Sequence, residues 1–155
     1  MKLYLVQHAE AKSEDVDPER SITPKGREDT ISVARILKSL DLDVDQVRHS
    51  GKTRAKQTAG ILAQQLSPSG GVRKADGLGP VDDVQPVGDQ ITGGDQQLML
   101  VGHLPFMERI TGYLVAGDAE QKVVDFQNAG VVCLAHNGEA WSVHWILTPE
   151  LAGAF

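Results

Sequence analysis

The sequence predicts an α/β fold, a three-layer sandwich whose mainly parallel central sheet is flanked by helices and finished by a C-terminal antiparallel hairpin. Three observations carry this reading. The short apolar runs Leu3 to Val6 and Leu98 to Val101 have the length and composition of strands buried on both faces. Strand-like runs alternate with segments of helical apolar periodicity, as βαβ units require. Two further β-rich runs, Val131 to Leu134 and Trp141 to Leu147, meet across Asn137-Gly138, the signature of a tight hairpin turn.

Taken in order, the first strand ends at Gln7-His8, and the polar, acidic residues 13–23 read as a surface loop. Thr23-Pro24 is a helix start, with Thr as N-cap and Pro where its missing N–H costs nothing. Ile31, Ala34, Leu37 and Leu40 then give an apolar stripe on a helix running to about Leu40. Asp43 to His49 reads as a short strand, with Ser50 as the N-cap of a second helix whose stripe is Ala55, Thr58, Ala59, Leu62 and Leu66. The run ending at Val101 turns through Gly102-His103-Leu104-Pro105 into a third helix over 105–116. Residues 67–97 hold seven glycines, three prolines and five aspartates with few apolar positions, too long for a structureless connection unless the segment serves the site or hides a short strand near Val72. Trp141, Val143 and Trp145 fall on one strand face and are assigned to core or sheet covering, with Cys133 on the neighbouring strand buried and inert.

Composition narrows the function. A chain of 155 residues is expected to form one domain, 1–155, with a proper core. A net charge of −6 argues against nucleic acid or an anionic membrane as the main partner. One cysteine allows no intrachain disulfide and no cysteine metal cluster. No apolar run approaches a membrane span or a signal peptide, so the expected location is cytoplasmic.

The chemistry gathers at strand ends: Gln7-His8, His49-Ser50 with Arg54 a turn later, and Gly102-His103. In parallel sheets these ends converge on one crevice, where helix N-termini also point. Two histidines and an arginine there suit a phosphoryl group. A neutral imidazole can attack phosphorus while a second, protonated one stabilises the oxygens. A histidine metal site is not expected, since no His-x-x-x-His pair exists and His136 and His144 belong to the hairpin. No cofactor is implied. His49, beside Ser50, is assigned a structural role.

These features resemble the histidine phosphatase (phosphoglycerate mutase-like) superfamily, especially its small SixA-type phosphohistidine phosphatases. The family's Arg-His-Gly/Ala, Arg-Pro-Leu-Thr-x-x-Gly, Ser-x-x-x-Arg-Ala-x-Gln-Thr and Gly-His-x-Pro stretches are matched in order by "VQHAEA", "ERSITPKG", "HSGKTRAKQTA" and "VGHLPF". The resemblance implies that His8 is a nucleophile that becomes phosphorylated, and that Arg54 and His103 hold the phosphoryl oxygens. Gln7, Arg20 and Ser50 join them as substrate-binding candidates. It further implies a phosphatase of phosphohistidine in proteins, within phosphorelay or phosphotransfer signalling. The alternatives are a phosphatase of small phosphomonoesters and a catalytically weak phosphoprotein-binding module.

One departure stands out. Gln7 occupies the place of the motif arginine, exchanging a cationic fork for a neutral amide. Lys12, Arg20 and Lys52 are the cations available to compensate. The candidates for a general acid are Glu10, Asp82 and Asp83. The short chain leaves no room for large covering insertions, so the expected pocket is open and suited to a phosphoryl group on a protein surface.

Overall fold

A computed structural model describes residues 1–155. Six strands form one sheet in the order β3-β2-β4-β1-β5-β6: β1 (Lys2–Gln7), β2 (Gln46–His49), β3 (Val72–Lys74), β4 (Leu98–Gly102), β5 (Val131–His136) and β6 (Trp141–Leu147). β1 and β2 both pair parallel to β4, and β3 pairs parallel to β2. β5 runs antiparallel to β1 and to β6, which completes the expected hairpin. The helices are α1 (Pro24–Ser39), α2 (Thr53–Leu66), α3 (Val84–Thr92), α4 (Phe106–Ala116) and α5 (Pro149–Ala152). No helix is long and apolar enough to cross a membrane.

Strand alternation divides the core in two. Tyr4, Val6, Met99, Val101 and Cys133 face Val33, Ala34 and Leu37 of α1 and Ala55, Ala59 and Leu62 of α2. Leu3, Leu5, Leu98, Leu100 and Leu134 face Ile91 of α3 and Phe106, Met107 and Ile110 of α4. The sheet is thus covered on both faces, the three layers that its continuous apolar strands demand.

Thr23 caps α1 as expected, its side chain accepting from the Gly26 amide at 3.0 Å. The buried stripe of α1 is Thr30, Val33, Ala34 and Leu37, not the triplet series. Steps of three residues slip about 60° per step on a 3.6-residue helix, so Ile31 is only half-buried and Leu40, the C-cap, is exposed.

Four further expectations are corrected. The second strand begins at Gln46, because Asp45 is held instead by its backbone N–H to Gln97 O and by its carboxylate accepting from Gln97 N. Residues 67–97 contain β3, as anticipated, but also α3, which Pro86 and Gly88 conceal from a propensity reading. Between Cys133 and Leu134 the β5/β6 register shifts, leaving His144 unpaired and reversing the side-chain alternation of β6. Trp141 therefore enters the α3/α4 core while Trp145 packs on the α1/α2 side against Tyr4, and Val143 is exposed. The hairpin loop spans residues 137–140, with the Asn137 side chain accepting from the amides of Glu139 and Ala140.

Candidate active site

Sheet register assembles the site. Gln7 lies opposite Gly102, and His49 opposite Val101, so the residues leaving β1, β2 and β4 emerge side by side. The His8 amide continues the ladder by donating to Gly102 O at 2.9 Å. The backbone beyond is clamped: Ala9 N donates to Thr58 Oγ1 of α2 at 2.9 Å, and Asn128 Nδ2 donates to His8 O at 2.9 Å. Gly26 completes the seating, since a Cβ there would come within 2.4 Å of Glu10 O. That approach lets the first turn of α1 lie against the chain just after His8.

The imidazole of His8 has a defined tautomer. Its Nδ1 lies 2.7 Å from Ala9 O, and a carbonyl only accepts, so Nδ1 carries the proton. Nε2 is left with its lone pair, toward which Arg54 Nε donates at 3.3 Å. Burial holds the ring below its ordinary pKa; the Ala9 bond opposes this, while Arg54 and Arg20 reinforce it. His8 is thus a neutral base with an unprotonated nitrogen turned to a cation.

His103 lies beside it, with ring centroids 5.1 Å apart, and is 2% exposed. Its Nε2 is 2.6 Å from Ser50 Oγ, and its Nδ1 has no partner. Burial first, then His8, Arg54, Lys52 and Arg20, push its pKa from 6.5 down to about 3. Ser50 therefore does not cap α2. Lys52 stands at the N-cap without a side-chain bond, and Ser50 Oγ is spent on His103 while accepting from Lys52 N at 3.3 Å. The reason is that the chain turns at Gly51, with φ +93°, two residues before the helix begins.

Arg20 belongs to this group by its field. Its charge depresses His8, Arg54 and His103 alike. It sits at φ +51°, in the left-handed region, with Nε donating to Lys12 O at 3.1 Å. Neither Arg20 nor Arg54 takes part in any of the molecule's ion pairs. Gln7 adds an amide whose Oε1 is enclosed without a partner. The second imidazole, His103, is neutral, not protonated as expected, because burial and the surrounding cations oppose its charge; the charge suited to an anion lies on two guanidiniums outside any ion pair.

The three candidate carboxylates are engaged elsewhere. Glu10 accepts from Thr23 Oγ1 at 2.9 Å and borders a polar cleft of about 420 Å³ with Lys25, Asp29 and Asn128. Asp82 accepts from Gly79 N at 2.7 Å, and Asp83 caps α3 through Gln85 N. None of them bonds to His8, Arg54 or His103. Lys12 contributes its backbone carbonyl to Arg20, and His49 accepts from Gly51 N at 3.0 Å, the structural part expected of it. The polar cleft and the other surface cavities are lined by residues other than His8, Arg54 and His103. Asn128 and Thr58 fix the His8 backbone; Thr58 reads from sequence only as part of the α2 stripe, and nothing local in "FQNAG" signals the contact that Asn128 makes across the fold.

The buried His103 predicts acid sensitivity. Its folded pKa of about 3 lies below the ordinary 6.5, so between these values the unfolded chain binds the extra proton. Stability is complete above the unfolded value and declines as the pH falls through this window, by up to about 1.4 kcal/mol per pH unit from this residue. Urea midpoints from pH 7 to pH 4 should fall more steeply in the wild type than in His103→Ala. Parallel slopes would refute the assignment.

No family model matches the sequence, and no curated relative does. Solved structures do match. The tungstate complex of the protein histidine phosphatase SixA superposes with a TM-score of 0.84 at 20% identity, over 96% of this chain and 97% of that one. A phosphoserine phosphatase from Entamoeba histolytica, in complex with 3-phosphoglyceric acid, gives a TM-score of 0.71 at 15% identity, over 97% and 98%. A mycobacterial glucosyl-3-phosphoglycerate phosphatase with VO3 gives 0.70 at 14%, over 93% and 98%. The fold is the phosphoglycerate mutase-like fold that these histidine phosphatases share.

Proposed function

We propose, from a fold shared with the histidine phosphatases and from the imidazole pair it assembles, that this chain is a phosphatase working through a phosphohistidine intermediate on His8, with phosphohistidine in proteins as its substrate. The observation that carries this is the unprotonated His8 Nε2, held against Arg54 and beside His103 among cations that have no carboxylate partner.

In the first step the His8 Nε2 lone pair forms a bond to phosphorus and the bond to the substrate's leaving atom breaks. Arg54, Arg20, the Gln7 amide and the Ser50–His103 pair hold the phosphoryl oxygens, where charge is spread in the transition state. Water then attacks phosphorus, the P–N bond to His8 breaks, and inorganic phosphate leaves with His8 neutral again. The engaged positions of Glu10, Asp82 and Asp83 favour a leaving group that needs no carboxylic acid. A substrate imidazole meets that condition because it can be protonated from solvent, whereas an alkoxide cannot leave unprotonated.

A panel of phosphohistidine peptide, phosphoramidate and phosphomonoesters tests the reading. Turnover is expected for the P–N substrates and to be weak for the esters; preference for esters would move the assignment to small phosphomonoesters. Gln7 favours a second reading, a phosphoprotein-binding module, which would bind tungstate or phosphopeptide and turn over none of the panel.

A further inference from the structure

We propose that the exposed cations Lys52, Lys56 and Lys74 form a docking flank for an acidic protein surface that presents the phosphoryl group. This rests on the phosphatase reading above and specifies the partner's chemistry.

The three residues are contiguous with the reactive centre. Lys52 precedes α2 directly beside Ser50 and reaches His103 with its charge. Lys56 follows one turn later on the same helix face, its amide bonded to Lys52 O at 2.9 Å. Lys74 lies opposite His49 in the β2/β3 ladder, and its side chain passes over Gly51, where a Cβ would come within 2.6 Å of Cε. Lys56 and Lys74 both act on His49, which ties the helix and the strand into one electrostatic unit.

None of the three takes part in an ion pair; of the fifteen lysines and arginines only Lys25, Arg109 and Lys122 do. In a chain of net charge −6, an unneutralised cationic ridge running into the site attracts an acidic partner from one side only. That orients the phosphoryl-bearing side chain toward His8. A rim of this kind acts mainly on encounter and selection, so its effect belongs in kcat/KM and in salt dependence.

The test uses two synthetic phosphohistidine peptides, one flanked by aspartates and one by lysines, with phosphoramidate as the small control. Wild type is expected to prefer the aspartate peptide in kcat/KM by about tenfold at low salt, the size two rim charges supply. Added salt should erase the preference. Lys56→Glu/Lys74→Glu should abolish or invert it while leaving phosphoramidate turnover unchanged. A preference that is absent, or that survives in the double variant, would overturn the proposal. If neither peptide is hydrolysed while phosphoramidate is, the protein-substrate reading fails by itself. Fluorescence anisotropy of the unphosphorylated aspartate peptide then decides the flank independently: binding lost in the double variant supports it, and no binding to wild type refutes it. Equal binding of a single-stranded oligonucleotide would also count against it, as a general anion patch.

Discussion

His8→Ala should reduce turnover to the uncatalysed background and eliminate the acid-labile phosphoryl label, while the protein stays folded. The ring contributes little to stability: it lies beyond the end of β1, half-buried, and its one firm bond is to the carbonyl of its own neighbour. The backbone that seats it is held by Gly102, Thr58 and Asn128, none of which touches the side chain. Chemistry, by contrast, loses its nucleophile. Arg54 and His103 would still bind a phosphoryl group but have nothing to transfer it to. Intact-mass spectrometry after brief exposure to phosphoramidate, at neutral pH and again after acid treatment, reads the label directly. His103→Ala should keep the label and slow turnover by roughly 10²–10⁴-fold, the range of a positioned imidazole. Equal activity in His8→Ala and wild type would exclude the covalent route.

What the sequence carried and what it withheld follow from the range of the forces involved. The strands β1 and β4 were legible because burial on both faces imposes unbroken apolar runs, and α1 because Thr23-Pro24 is a local capping signal. The meeting of His8, Ser50 and His103 was legible only as a consequence of strand ends converging; the register that brings it about is a long-range property. α3 was hidden by its own Pro86 and Gly88, although Asp83 caps it and Val84 and Ile91 are buried in the core. The β6 irregularity cannot be read from the alternation of Trp141, Val143 and Trp145, since a single unpaired residue reverses the faces beyond it. Ser50 lies against His103 and does not cap α2. The same hydroxyl type serves both ends, and only the turn at Gly51 decides between them.

Arg20→Ala should weaken tungstate binding by roughly 10–100-fold, the 1.5–3 kcal/mol of a charge-assisted bond at about 1.4 kcal/mol per decade. Gln7 places a neutral amide where the resembled motif carries an arginine. Among the cations named to compensate, Lys12 lends its backbone carbonyl and Lys52 belongs to the cationic flank. Arg20 alone acts on His8, Arg54 and His103 together. A left-handed backbone at a non-glycine residue costs roughly 1 kcal/mol or more, retained here where it turns an unpaired guanidinium to the site. Gln7→Arg in the wild-type background should therefore gain little, because a third guanidinium beside Arg20 and Arg54 meets like charge before it meets the anion. In the Arg20→Ala background the same substitution should recover most of the lost affinity. The double-mutant cycle measures this coupling directly by tungstate titration and phosphoramidate turnover. Additive effects would mean that Arg20 and residue 7 serve the anion independently. Recovery of affinity without recovery of turnover would mean that the place of the charge, and not its presence, limits the chemistry.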